Sequence, residues 1–205
     1  MKRIVFLGMG GFYSEIEAVA ERNTSLKIVG AVDDVPQKIL GYLGKFSWVD
    51  ENTSNFDFIF PAFGATNMRS LLKRTAIIKN INNKLFLDDP LIASSVIVEK
   101  DVYIGSSSFC GHQSVMSVGA NIGDYVILNT SSIVGHHSSV GNYSVIGPQV
   151  FIGGEVRIGR NCLIGAGAKV MQGVSIGDGA SIGMGVTVFK DVPDGKTILP
   201  FGFGK

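Results

Sequence analysis

The chain has 205 residues, enough for two modest domains, and its charges nearly cancel, with 18 Lys and Arg against 17 Asp and Glu. This balance excludes the strongly basic surface of a nucleic-acid-binding protein and gives no reason to expect a membrane-surface protein. A small neutral or anionic metabolite is the better partner to expect.

The start of the chain carries neither the charged segment, nor the apolar run, nor the cleavage site of a secretory signal peptide. No apolar stretch reaches the ~18 residues that a membrane-spanning helix requires. These features predict a cytoplasmic protein without membrane insertion.

The first 90 residues alternate short apolar runs with helical patterns. Strands are predicted over about 3–8, 27–32, 56–60 and 84–87, and helices over about 12–22 and 67–79. Strands that alternate with helices predict a small parallel sheet with right-handed crossovers, that is, a Rossmann-like α/β domain over 1–90. The segment 88–90 is a suitable linker to the rest of the chain.

Ligands of such sheets bind at the carboxyl ends of the strands. The candidate substrate-binding residues there are Gly10, Gly11, Phe12, Asp33, Asp34 and Gly64. The dinucleotide fingerprint is incomplete, because Gly8 and Gly10 are in place but Tyr13 occupies the third glycine position. NAD is therefore not predicted, and the glycines either hold part of another nucleotide or only shape a tight turn.

From residue 92 to residue 193 the chain is an unbroken series of hexapeptides. Every sixth residue is apolar: Ile92, Val98, Ile104, Cys110, Met116, Ile122, Leu128, Val134, Val140, Ile146, Ile152, Ile158, Ile164, Val170, Ile176, Ile182 and Val188. Four residues after each of these lies a small or β-branched residue. A short strand with one inward apolar side chain, followed by a corner that admits only small residues inside, predicts a parallel β-helix with three hexapeptides per coil over 91–205.

Two cysteines and several serines fall on inward positions of this repeat. Cys110 lies at the apolar position and Cys162 at the small position, so both thiols are expected inside the coil and neither as a nucleophile or disulfide partner. Ser132, Ser138 and Ser144 are likewise expected to fill corners.

The only histidines are His112, His136 and His137. Residues 18 apart lie one above the other in adjacent coils, so Gly154 is predicted over His136 and Glu155 over His137. His112 is not a multiple of 18 residues from His136 and is therefore predicted on a different part of the coil. Glu155 is placed to orient an imidazole, or else forms a solvated surface pair with His137.

Three stretches together resemble the PglD/NeuD-type sugar acyltransferases, which are hexapeptide-repeat proteins. They are 8–12 together with Asp33 and Asp34, 63–69, and 128–137, where Asn129 precedes His136 by seven residues. The resemblance implies a nucleotide-sugar-binding α/β domain followed by a left-handed β-helix. It also implies a homotrimer that binds acetyl-CoA in the grooves between subunits, with no metal.

The same resemblance implies roles for individual residues. His136 is the catalytic base, assisted by Asn129, and backbone groups of Gly154, Ala166 and Met184 hold acetyl-CoA. An imidazole can take the proton of an attacking amine or hydroxyl, and a glycine N–H can face the thioester oxygen.

The sequence departs from the family at four places. His137 stands where the family has a glutamate, Val145 and Phe12 stand where it has histidines, and 198–205 replaces its usual Gly-x-Pro-Ala ending. Glu155 is predicted to take over the orienting role of the missing glutamate.

The function predicted is an acetyl-CoA-dependent N-acetyltransferase of a nucleotide-linked amino sugar, such as a 4-amino-4,6-dideoxyhexose, for surface-glycan synthesis. Sugar O-acetylation and a catalytically silent nucleotide-sugar-binding scaffold are the alternatives. A zinc hydratase on the same fold is disfavoured, because it needs three histidine ligands.

Overall fold

The computed structural model describes residues 1–36, 40–81 and 85–200. The N-terminal part contains β1 (Lys2–Leu7), α1 (Tyr13–Glu21), β2 (Leu26–Val32), β3 (Tyr42–Gly44), α2 (Trp48–Glu51), β4 (Phe58–Pro61) and α3 (Met68–Asn80). The four strands form one parallel sheet in the order β3-β2-β1-β4. The predicted small parallel sheet with helices is confirmed.

Two short elements of this part were not predicted, namely β3 and α2. Of the last predicted strand, Phe86 forms a single parallel bridge to Ile59, and residue 84 lies outside the described residues. The helix α3 begins at a complete capping box, in which the Asn67 side chain accepts from the Ser70 N–H and the Ser70 hydroxyl accepts from the Asn67 N–H.

From residue 91 onward the chain forms two-residue parallel strands at regular intervals. They are β5 (Leu91–Ile92), β6 (Ile97–Val98), β7 (Tyr103–Ile104), β8 (Phe109–Cys110), β9 (Val115–Met116), β10 (Asn121–Ile122), β11 (Ile127–Leu128), β12 (Ile133–Val134), β13 (Ser139–Val140), β14 (Val145–Ile146), β15 (Phe151–Ile152), β16 (Arg157–Ile158), β17 (Leu163–Ile164), β18 (Lys169–Val170), β19 (Ser175–Ile176), β20 (Ser181–Ile182), β21 (Thr187–Val188) and β22 (Thr197–Ile198). Each strand from β5 to β21 ends at the apolar position of the repeat.

These strands form three sheets, which are the faces of a triangular prism. The first face contains β5, β8, β11, β14, β17, β20 and β22, the second β6, β9, β12, β15, β18 and β21, and the third β7, β10, β13, β16 and β19. Partners are 18 residues apart, for example Ile133 with Phe151, except that β20 and β22 pair residues 16 apart. We name the corners in chain order: the first corner joins the first face to the second, the second corner joins the second to the third, and the third corner joins the third to the first.

The inward side chains form a continuous buried core. Cys110 and Cys162 are buried free thiols, as predicted, and burial raises their pKa to about 12 and about 11, so both stay protonated. The first coil is the exception to the burial pattern, because Ile92 and Val98 are 38% and 45% exposed at the end of the prism.

The N-terminal part covers the first face of the prism. The outward residues Phe109, Ile127, Val145 and Leu163 are buried in the same cluster as Ile16 of α1. The helix α3 lies along the third corner, where the Thr75 hydroxyl donates to Asn161 Oδ1 over 2.8 Å. Within the described residues of one chain, these contacts leave the second and third faces uncovered.

None of the described helices is both long and apolar enough to cross a membrane.

Candidate active site

His136 and His137 lie together at the second corner, directly after β12. Both side chains are exposed, and their ring centroids are 5.6 Å apart with an interplanar angle of 81°. His137 has a φ of 56°, which lies in the left-handed region. Residues at the same corner adopt this conformation at 18-residue intervals. This turn is what directs two adjacent imidazoles to the same edge of the prism.

Gly154 lies under the His136 imidazole, one coil further along the chain. A methyl group built on Gly154 would overlap Nε2 of His136 and lie 2.5 Å from Cε1. Gly154 is buried, and among the described residues its N–H donates to no other backbone group. Only a residue without a side chain allows the imidazole to lie directly over this backbone.

Glu155 is stacked over His137 through the backbone rather than through its carboxylate. Its N–H donates to the His136 carbonyl over 2.8 Å, and it has a φ of 59° like His137. Within the described ranges, no ion pair joins the Glu155 carboxylate to either imidazole. The His137 ring lies instead against Gly119, one coil earlier. A methyl group built on Gly119 would overlap Nδ1 of His137 and lie 2.9 Å from its Cε1.

Asn129, Ala166 and Met184 lie at the first corner, on the other side of the second face. Asn129 is half-buried and its Oδ1 accepts from the Thr130 N–H over 2.7 Å. Ala166 and Met184 are stacked in adjacent coils, since the Gly185 N–H donates to the Ala166 carbonyl over 2.8 Å. A single chain therefore does not bring these residues together with His136 and Gly154.

His112 also lies at the first corner, away from His136. Its Nδ1 is 2.8 Å from the Ser95 hydroxyl, and its Nε2 is 3.4 Å from an Arg22 nitrogen at the end of α1. It is held between the prism and the N-terminal part of the chain.

The glycine turn after β1 is open to solvent. Gly10 and Gly11 are exposed, and methyl groups built on them would meet nothing within 4 Å. Phe12 is half-buried and packs edge-on against Phe109 at a centroid distance of 5.4 Å. Phe12 therefore fastens this turn to the first face of the prism.

A cavity of about 170 Å³ lies at the carboxyl ends of β2 and β4. Asp33, Asp34 and Gly64 line it, whereas Gly10, Gly11 and Phe12 do not. The two carboxylates differ in their contacts. Asp33 accepts from the Met9 and Val35 N–H groups, each over 2.9 Å, and Asp34 accepts from the Phe46 N–H over 3.2 Å.

Sequence reasoning missed Arg74, which lines this cavity and is 2% exposed. Its Nε donates to the Phe63 carbonyl over 3.1 Å and its Nη2 to the Tyr125 carbonyl over 2.9 Å. Burial lowers its pKa to about 10, which still leaves it charged at neutral pH. An arginine in a helical sequence pattern is predicted to be a solvent-exposed side chain. Arg74 is buried because α3 docks against the third corner.

In the described part of the chain, no group of three or more His, Cys, Asp or Glu side chains is arranged to hold a metal ion.

Comparisons with known proteins agree with this architecture. The family model of the hexapeptide repeat of succinyl-transferase matches residues 155–190. No curated protein matches the chain.

Several solved structures match over nearly the whole chain, among them the following three. The acetyltransferase domain of PglB from Neisseria gonorrhoeae FA1090, in complex with acetyl coenzyme A, is 26% identical, with 97% of this chain and 96% of that chain covered and a TM-score of 0.86. A variant of the GDP-perosamine N-acetyltransferase from Caulobacter crescentus, in complex with CoA and GDP-perosamine, is 25% identical, with coverage of 98% and 95% and a TM-score of 0.82. WeeI from Acinetobacter baumannii AYE is 22% identical, with 98% of both chains covered and a TM-score of 0.81, and shows the fold.

The chain thus consists of a small parallel α/β sheet followed by a left-handed parallel β-helix of about six turns, as predicted. The predicted resemblance to hexapeptide-repeat sugar acetyltransferases is confirmed. The predicted enzyme class, an acyltransferase, is confirmed by the same matches.

Proposed function

We propose that this protein is an N-acetyltransferase that transfers the acetyl group of acetyl-CoA to the amine of a nucleotide-linked amino sugar. A 4-amino-4,6-dideoxyhexose destined for a surface glycan is the proposed acceptor, and the reaction takes place in the cytoplasm. The observation that carries the proposal is the His136 imidazole lying directly over the buried Gly154 backbone. A solved neighbour that acts on GDP-perosamine supports the choice of substrate.

The chemistry follows from these two groups. The sugar amine attacks the thioester carbonyl, forming a C–N bond, and His136 accepts the proton that the nitrogen loses. The Gly154 N–H stabilises the negative charge that develops on the carbonyl oxygen. The C–S bond then breaks, and the protonated imidazole returns the proton to the departing CoA sulfur.

The other site residues have supporting roles in this proposal. Asn129 and His137 position the acceptor and the base, and backbone groups of Ala166 and Met184 hold the pantetheine arm. Glu155 orients an imidazole only if its carboxylate turns toward the ring when the substrates bind, because the two are not paired in the isolated chain.

We further propose that the active unit is a homotrimer. The second face of the prism carries an exposed apolar stripe, in which Ile97, Ile133 and Phe151 are 53%, 36% and 46% exposed. Patches of this kind mark protein interfaces. The proposed site residues lie at the two corners that flank this face, so threefold packing of the second faces would join the first corner of one subunit to the second corner of its neighbour.

Phe151→Glu should dissociate the trimer, because the substitution introduces a charge into each copy of the apolar stripe. Sedimentation velocity should show a trimer for the wild type and a smaller species for the variant, with acetyl transfer lost in parallel. Asn121→Glu, on the exposed third face, is the matched control and should remain trimeric. A wild-type protein that is a stable monomer at working concentration would contradict the proposed groove.

Asp33→Ala should raise KM for the nucleotide sugar and leave KM for acetyl-CoA nearly unchanged. The Asp33 carboxylate fixes the Met9 and Val35 N–H groups, and its loss loosens the turns around the nucleotide site. Steady-state kinetics with each substrate varied in turn make the comparison. Equal effects on both KM values would mean a general folding defect.

The direct test of the proposal is turnover. Purified protein is incubated with acetyl-CoA and a series of nucleotide-linked amino sugars while the release of free thiol is followed. Thiol release that depends on an amino sugar supports the enzyme, and no release with any of them would favour the silent scaffold.

A further inference from the structure

Arg22 and His112 make a polar contact between the N-terminal part of the chain and the first corner of the prism. Arg22 directly follows α1, and its Nη1 lies 3.4 Å from Nε2 of His112. A guanidinium only donates hydrogen bonds, so Nε2 accepts and the proton of the neutral ring lies on Nδ1. Nδ1 therefore donates to the Ser95 hydroxyl, which is 2.8 Å away.

This contact continues along the first corner toward the proposed site. The Ser95 hydroxyl also accepts from the Gln113 N–H over 3.1 Å. In the next coil the Ser131 hydroxyl donates to Gln113 Oε1 over 3.1 Å. Ser131 closely follows Asn129 in the chain, so hydrogen bonds connect the end of α1 with the corner segment that contains Asn129.

The space on both sides of the contact is open. A cavity of about 490 Å³ extends from it toward Thr130, and a cavity of about 290 Å³ extends from it toward Ile92. Val19, Arg22 and His112 line both cavities and therefore separate them. Because cavities rather than packed side chains flank the contact, its loss should let the end of α1 move relative to the corner.

The larger cavity joins the two halves of the proposed acceptor site. Ser14 lines it at the start of α1, shortly after the glycine turn, and Thr130 lines it beside Asn129. Its volume lies within the range of ~300–1,000 Å³ that is usual for small-molecule sites. A ligand held at the glycine turn can therefore reach the first corner by crossing this cavity.

We propose that Arg22 and His112 are positioning residues, which hold α1 at the distance from the first corner that lets one nucleotide sugar span both. The nucleotide binds to the N-terminal part of the chain, and the sugar reaches the first corner. This inference rests on the proposed function and goes beyond it by naming the residues that align the two halves of the acceptor site.

The inference predicts that breaking the contact affects one class of ligand. A nucleotide sugar touches both parts of the chain and loses affinity when the spacing between them varies, whereas a free nucleoside diphosphate binds only the N-terminal part. His112→Leu removes both hydrogen bonds of the imidazole. It should weaken nucleotide-sugar binding about tenfold, the usual loss for a hydrogen bond to a charged group. Its affinity for the free nucleoside diphosphate and its KM for acetyl-CoA should stay nearly unchanged.

His112→Gln is the conservative variant, because one amide can accept from Arg22 and donate to Ser95. It should bind the nucleotide sugar nearly as tightly as the wild type. Arg22→Met should weaken binding as much as His112→Leu, with no further loss in the double variant, because both changes break the same contact. Arg157→Met, at an exposed arginine of the third face, is the matched control and should bind like the wild type.

Titration calorimetry of the whole chain measures both affinities, with the nucleotide-linked amino sugar of highest turnover and its free nucleoside diphosphate as ligands. A His112→Leu variant that binds the nucleotide sugar like the wild type would overturn the inference and leave the acetyltransferase proposal standing. Equal losses for both ligands would mean a general structural defect and would also overturn it. A wild type that turns over none of the amino sugars would overturn the proposed function and the inference together.

Discussion

His136→Ala is expected to lower kcat by roughly 10²–10⁴, which is the usual contribution of a positioned general base. The fold should survive, because the His136 side chain is exposed and contributes little to the core. Steady-state kinetics of acetyl transfer and a thermal unfolding curve, measured on the same preparation, check both parts of the prediction.

His136→Asn is the companion variant, because it keeps a polar side chain at the corner but removes the base. It should lose as much activity as the alanine variant. A His136→Asn enzyme within threefold of the wild-type kcat would mean that the residue only positions the substrate.

Gly154→Ala is expected to lower kcat by roughly 10²–10⁴, the contribution of a positioned general base, because it displaces the His136 imidazole. The added methyl group would overlap the His136 imidazole and displace it from the backbone that the thioester oxygen is proposed to approach. Kinetics of the purified variant measure the loss. A variant with normal kcat would mean that the His136 imidazole does not need to lie against the Gly154 backbone.

The double variant His136→Ala/Gly154→Ala provides the control for packing. Removing the imidazole frees the space that the methyl group needs, so the double variant should be more stable than Gly154→Ala alone. Its kcat should be no lower than that of His136→Ala, because the two residues act as one unit and their effects are not additive. Additive losses in both stability and kcat would show that the two residues act independently.

The hexapeptide period predicted the β-helix because each two-residue strand has one inward position that must be apolar. The 18-residue stacking rule likewise placed Gly154 against His136, where the structure has them in contact. The same rule did not show which atoms meet. It put Glu155 over His137, and the contact that the structure shows there is a backbone one, in which the Glu155 N–H donates to the His136 carbonyl.

What the sequence did not reveal depends on contacts between distant parts of the chain. Phe109 and Val145 occupy outward positions of the repeat, and nothing local indicates that the N-terminal part buries them. Arg74 is similar, because its helical pattern is that of a surface residue until α3 docks against Tyr125. The short β3 and α2 carry too few residues for a periodic pattern to emerge.

The central claim is acetyl transfer to the amine of a nucleotide-linked sugar, and mass spectrometry of the nucleotide-sugar product tests it most directly. The proposal predicts one added acetyl group on the sugar nitrogen, stoichiometric with the free thiol released and absent in His136→Ala. A product acetylated on oxygen, or thiol release without any acetylated sugar, would contradict it.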